Sequence, residues 1–224
     1  MDLMDSFSWP GFERCRAKVP TVQYSHPAVT PGERFLMWVD AVGGYLVCLG
    51  DEVVIGPPTD GAGADVPILA DISRRHAVVR RDGEGYWVEP QRDAFLDGRR
   101  LSGPASLVDG SVIQLGSVEI RFRRPHALSG TARLELISRH KTQPSVSGVL
   151  LMAESCVLGP AWHNHVVCRR WQRDVVLFRH GKGLYCRTTG PIEIGGQRFD
   201  GKGPLGLDDR VEGEDFSFTL EKLS

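Results

Sequence analysis

The chain has 224 residues, with 27 Lys and Arg against 28 Asp and Glu and a formal net charge of −1. That length can bury one large core or two modest ones, and two small domains are expected here. The near cancellation of charge excludes a global field that would draw nucleic acid, an anionic membrane or an acidic substrate, so any such partner would need a local patch.

Residues 1–33 contain Val19-Pro20, His26-Pro27 and Thr30-Pro31-Gly32 with little periodicity, and they read as a proline-rich arm. Phe7, Trp9, Phe12 and Tyr24 make this arm more aromatic than a free tail. Its first residues lack the basic start and apolar run of a signal peptide, and nothing later approaches the roughly 20 apolar residues of a membrane span. The five cysteines, Cys15, Cys48, Cys156, Cys168 and Cys186, lack CxxC spacing and sit in apolar runs. They read as buried thiols of a reducing compartment, and a cytoplasmic protein without a membrane partner is expected.

From Arg34 the pattern changes to short β-rich runs punctuated by Gly and Asp: FLMWV, GYLVCL, EVVIG, HAVVR, GYWVE, AFLDG, SVIQL and VEIRF. Their spacing of roughly 8 to 12 residues favours an antiparallel sandwich or barrel. Residues 126–131, HALSGT, form a polar break, and ARLELIS opens a second strand series. In one register, residues 77–87 lie over 175–185 and 96–101 over 194–199, while Val54-Ile55-Gly56-Pro57 matches Val157-Leu158-Gly159-Pro160. Glycine recurring at turns and apolar residues recurring in strands are what two copies of one β fold need. The expected division is an arm 1–33, a first domain 34–125, a linker 126–131 and a second domain 132–224.

The ordered set Val54-Ile55-Gly56, then Ser73-Arg74-Arg75-His76-Ala77, then Phe95-Leu96-Asp97-Gly98 and Leu107-Val108-Asp109-Gly110-Ser111-Val112-Ile113 resembles a forkhead-associated (FHA) domain over about residues 34–125. The resemblance implies a β-sandwich whose loops at one end hold a phosphothreonine peptide, and with the internal repeat the expectation is an all-β chain of two tandem antiparallel sandwiches, the second degenerate. It further implies that Ser73 donates its hydroxyl to the phosphate and Arg74 occupies the basic position after it. Gly56, His76 and Gly98 would support the loops. Two positions depart from the family. Pro57 stands where the family has a phosphate-contacting Arg, and it has neither charge nor backbone N–H. Arg92-Asp93-Ala94 stands where an Asn, Gly and Thr are usual. Arg74, Arg75 and Arg92 could rebuild an anion site from other directions, or be solvated loop charges. In the second copy Trp171 aligns with Ser73 and Asp174 with His76, so the motif is absent there.

Three rival chemistries arise. Ser73 with His76 and Asp71 suggests a hydrolase, but no Gly-x-Ser-x-Gly elbow is present and a structural His76 accounts for the residues better. His163 and His165 with Cys168 suggest zinc, although the cysteine has the wrong parity in a strand. Arg169-Arg170-Trp171-Gln172-Arg173 suggests nucleic acid or an acidic peptide, against cations that offset Glu212, Glu214 and Asp215. The reading adopted is a protein-interaction adaptor or scaffold with an altered phosphothreonine loop; the alternative is a working phosphothreonine reader built on Ser73 and the arginines. No catalytic residue, cofactor, metal or nucleic acid is expected, and the partner is a protein that can carry phosphothreonine.

Overall fold

The computed structural model describes residues 34–60, 63–83, 85–126 and 129–223. The N-terminal arm and Cys15 lie outside the described residues. The described residues form strands without helices. The first half contributes β1 (Arg34–Val39), β2 (Gly43–Cys48), β3 (Glu52–Gly56), β4 (Val66–Pro67), β5 (Ala77–Asp82), β6 (Gly85–Pro90), β7 (Ala94–Leu96), β8 (Arg99–Arg100), β9 (Ala105–Ser106), β10 (Val112–Leu115) and β11 (Val118–Arg123). The second contributes β12 (Ala132–Leu136), β13 (Gly148–Leu151), β14 (Ser155–Gly159), β15 (Val166–Val167), β16 (Val175–His180), β17 (Gly183–Ile194), β18 (Gln197–Leu205), β19 (Arg210–Glu212) and β20 (Ser217–Lys222).

Turn chemistry sets the hairpins. Asp97 and Gly98 both have positive φ, 50° and 77°, which a two-residue turn between right-twisted strands requires. Gly195 and Gly196, at the aligned positions between β17 and β18, have φ of 56° and 79°.

A small sheet runs β4-β3-β5-β6-β9. A large one runs β15-β14-β16-β17-β19-β20-β1-β2-β13-β12-β11-β10-β7-β8, with β18 beside β17. The sheets are mixed rather than purely antiparallel, since β2–β13, β3–β4 and β14–β15 pair in parallel. The described residues are all-β, and the small sheet packs on the large one as a β-sandwich.

There are two hydrophobic cores, on opposite faces of the large sheet. One joins Val53, Ile55, Val79 and Val88 of the small sheet to Ile113, Ile120, Phe122, Leu134, Val149 and Leu151. The other gathers Cys156, Leu158, Val175, Leu177, Val211, Phe218 and Leu220. The hairpin β1–β2 serves both. Leu36, Leu46 and Cys48 enter the first core, and Phe35, Met37, Tyr45 and Val47 enter the second.

The cores therefore do not divide at residues 126–131. Hairpin β12–β13, from beyond that segment, extends the layer facing the small sheet, while β1–β2 is hydrogen-bonded to β20 at the C-terminal end. The described end of that segment, residues 129–131, is tied down. Thr131 is fully buried, donates Oγ1–H to the Ser155 carbonyl (2.6 Å) and accepts from the Ala153 N–H (2.9 Å). The Tyr86 hydroxyl, from β6, donates to the Gly130 carbonyl at 2.6 Å.

Candidate functional site

Three connections meet at one end of the first sandwich: those after β3, between β4 and β5, and between β6 and β7. Gly56 closes β3, and a Cβ there would run into the backbone carbonyl of Arg74, so the β4–β5 loop reaches its place only over glycine. The loop is then stapled to β3, with the His76 N–H donating to the Ile55 carbonyl at 2.9 Å and the Ile68 N–H to the Gly56 carbonyl at 2.8 Å.

His76 is 7% exposed and joins two loops. Its Nδ1 accepts the Ser73 backbone N–H at 3.2 Å, and its Nε2 lies 3.0 Å from the Asp93 carbonyl. An accepting Nδ1 places the ring proton on Nε2, which donates to Asp93 in the neutral imidazole. The His76 carbonyl also receives the N–H groups of Gln91 (3.0 Å) and Arg92 (3.2 Å). Both ring nitrogens are thus spent on backbone, and no hydrogen bond joins the ring to the Ser73 hydroxyl as a nucleophile–base pair requires.

The charges sit around this frame. Arg74 and Arg75 are exposed, and neither side chain hydrogen-bonds or ion-pairs with a described residue. Arg92 is exposed and donates only to the neighbouring Gln91 carbonyl, at 3.1 Å. Asp93 is matched by Arg100 at 2.6 Å. The half-buried Pro57 follows Gly56 and offers no donor. Gly98 lies away from the loops' contacts: it completes the β7–β8 turn, where Asp97 Oδ1 accepts the Val112 N–H at 2.8 Å. The structure brings Ser73, His76 and the backbone of 91–93 together, with Arg74, Arg75 and Arg92 exposed on the joined loops.

At the matching end of the second half the arrangement differs. Trp171 is a buried plug, packed on Phe216 with ring centroids 5.2 Å apart. Arg173 bridges loops there, donating to the Thr189 carbonyl at 2.8 Å and pairing with Glu214 (2.8 Å) and Asp215 (3.5 Å). The cluster 169–173 is therefore not one exposed surface: its Trp is core and one of its cations offsets the acidic segment.

His165 is fully buried, with Nδ1 accepting the Val157 N–H at 2.9 Å. Burial, reinforced by His126 beside it, pushes its pKa down to about 4. No group of three or more His, Cys, Asp or Glu that could hold a metal occurs among the described residues. Cys48, Cys156, Cys168 and Cys186 are free and buried, and desolvation pushes each thiol up to about 12, far from the reactive thiolate.

A helix-free β-sandwich with its loops braced at one end is the setting in which these residues stand. Residues 62–116, about a quarter of the chain, match the family model of the FHA domain, and this stretch is similar to a family of phosphopeptide-binding interaction modules. No curated protein and no solved structure matches the chain. No helix among the described residues is long and apolar enough to cross a membrane. Sequence reasoning missed a cleft beside Trp162; the Trp162 and Arg169-Arg170 positions were visible, but not that they share a wall.

Proposed function

We propose that the chain is a protein-interaction adaptor or scaffold built on an FHA domain whose phosphothreonine loop is altered, with a second, FHA-like sandwich that has lost the motif. The observation that carries this reading is the pairing of an intact loop frame, Gly56 under Arg74 and His76 between Ser73 and Asp93, with Pro57 at the position where a guanidinium would meet phosphate. Losing one charge-assisted bond costs about 1.5 to 3 kcal/mol, roughly a tenfold to hundredfold loss of affinity. The shared turn geometry at Asp97-Gly98 and Gly195-Gly196 supports the second sandwich as a copy of the first.

One observation favours the reader instead. The Ser73 hydroxyl and the Arg74 and Arg75 guanidiniums have no partner among the described residues, and a phosphate could use all three. Isothermal titration of the full chain against a degenerate phosphothreonine peptide pool and its unphosphorylated counterpart separates the two. The adaptor reading expects no phosphate-dependent heat. Micromolar, phosphate-dependent binding that Ser73→Ala abolishes would replace it with the reader.

A further inference from the structure

A cleft of about 820 Å³ lies between the β1–β2 turn and the loops on either side of β15. Trp162 on its wall is 82% exposed, the most exposed of the large apolar side chains in the described residues. An indole left in water at a cleft is costly to keep and suited to stacking or burial against a partner. Trp171 lies beneath, already committed to the core through Phe216. Arg169 and Arg170 complete the wall and are exposed, with no hydrogen bond or ion pair to any described residue.

The cleft's one carboxylate does not neutralise them. Asp40 accepts from the Ser217 hydroxyl and pairs with Arg210 at 2.8 Å, and these contacts hold its pKa below the usual carboxylate range. Arg169 and Arg170 thus stand beside an aromatic face with no ion pair to a described residue. The groove continues past Arg170 into a depression lined by Glu212, Glu214 and Asp215. A long polyanion would be carried from the cations into those carboxylates, so the complementarity is to a short anionic segment and not to a nucleic-acid strand.

We propose that this cleft binds a short acidic peptide segment of a partner protein, its carboxylates on Arg169 and Arg170 and an aromatic or proline ring on Trp162. The site is separate from the Ser73 loops and needs no phosphate. Guanidinium forks match carboxylates bidentately, and such bonds carry specificity once the tryptophan excludes water around them.

The test uses the full chain and fluorescein-labelled ten-residue pools in which Asp or Glu positions flank one aromatic or proline position, beside a charge-inverted Lys/Arg pool. Fluorescence anisotropy is expected to show saturable binding to the acidic pool alone. Trp162→Ala and the double change Arg169→Glu, Arg170→Glu should each weaken it at least tenfold, and Ser73→Ala should leave it unchanged. These side chains are exposed, and circular dichroism confirms that the variants fold. Absence of saturable binding, equal binding to both pools, or binding indifferent to the Trp162 and arginine variants would overturn the proposal. So would tighter, Trp162-dependent binding of an oligo(dT) strand. A phosphopeptide titration that fails while this binding persists removes the reader and leaves this site standing.

Discussion

At the scale of single residues, the frame of the candidate site was legible and its surroundings were not. The FHA resemblance implied a bracing imidazole at His76, and its ring nitrogens lie on the Ser73 N–H and the Asp93 carbonyl. Arg173, the cross-loop brace of the second half, could not be read from spacing, since its partners Glu214 and Asp215 are about forty residues away in sequence. His165, which sequence offered only as a metal ligand, is fully buried, with Nδ1 accepting a backbone N–H. Because its folded pKa of about 4 lies below the ordinary 6.5, the unfolded chain binds the extra proton between those values. Stability is thus whole above pH 6.5 and falls as pH drops toward 4, by on the order of 3 kcal/mol from this group at about 1.36 kcal/mol per pH unit. Urea unfolding of the wild type and His165→Asn from pH 7.5 to 4.5 checks this: the wild type should lose more stability across the window, and parallel curves would remove His165 as the cause.

At the scale of elements, hydrophobic pattern told more than it was asked. Strands such as β11, VEIRFR, alternate buried and open positions, as a sheet with one covered face demands. FLMWV in β1, YLVC in β2 and GVLL in β13 are near-continuous apolar runs, the signature of strands buried on both faces. That pattern is explained by the position of β1–β2 between the two cores. Leu46 on this hairpin is 1% exposed and faces the first core, although the hairpin is paired to β20. Leu46→Ala should therefore cost about 2 to 5 kcal/mol in denaturant unfolding, as buried leucines do. A change within ~0.5 kcal/mol would mean that the hairpin contributes nothing to the first core.

At the scale of the whole molecule, the exchanged hairpins couple the halves. A chain cut between residues 125 and 126 leaves the first piece without β12–β13 and the second without β1–β2, each exposing core residues such as Phe122 and Phe218 that are fully buried in the intact chain. Neither piece alone should give the dispersed amide spectrum of a folded protein, whereas mixing them should restore it. Independent folding of either piece would show that the exchange is dispensable. Intact, the chain should unfold in one calorimetric transition, because β1–β2 belongs to both cores.

Sequence alone determined the all-β class, the turn positions and the FHA resemblance, because period-two patterning, glycine conformation and ordered short motifs are local properties. Only the tertiary structure decided which hairpin closes which sandwich, that Trp171 is core while Trp162 is open, and which arginines are spent on carboxylates. Those depend on pairings between residues far apart in the chain. Strand β1 could satisfy its hydrogen bonds and its apolar faces against more than one partner, and packing against the whole molecule selected β20.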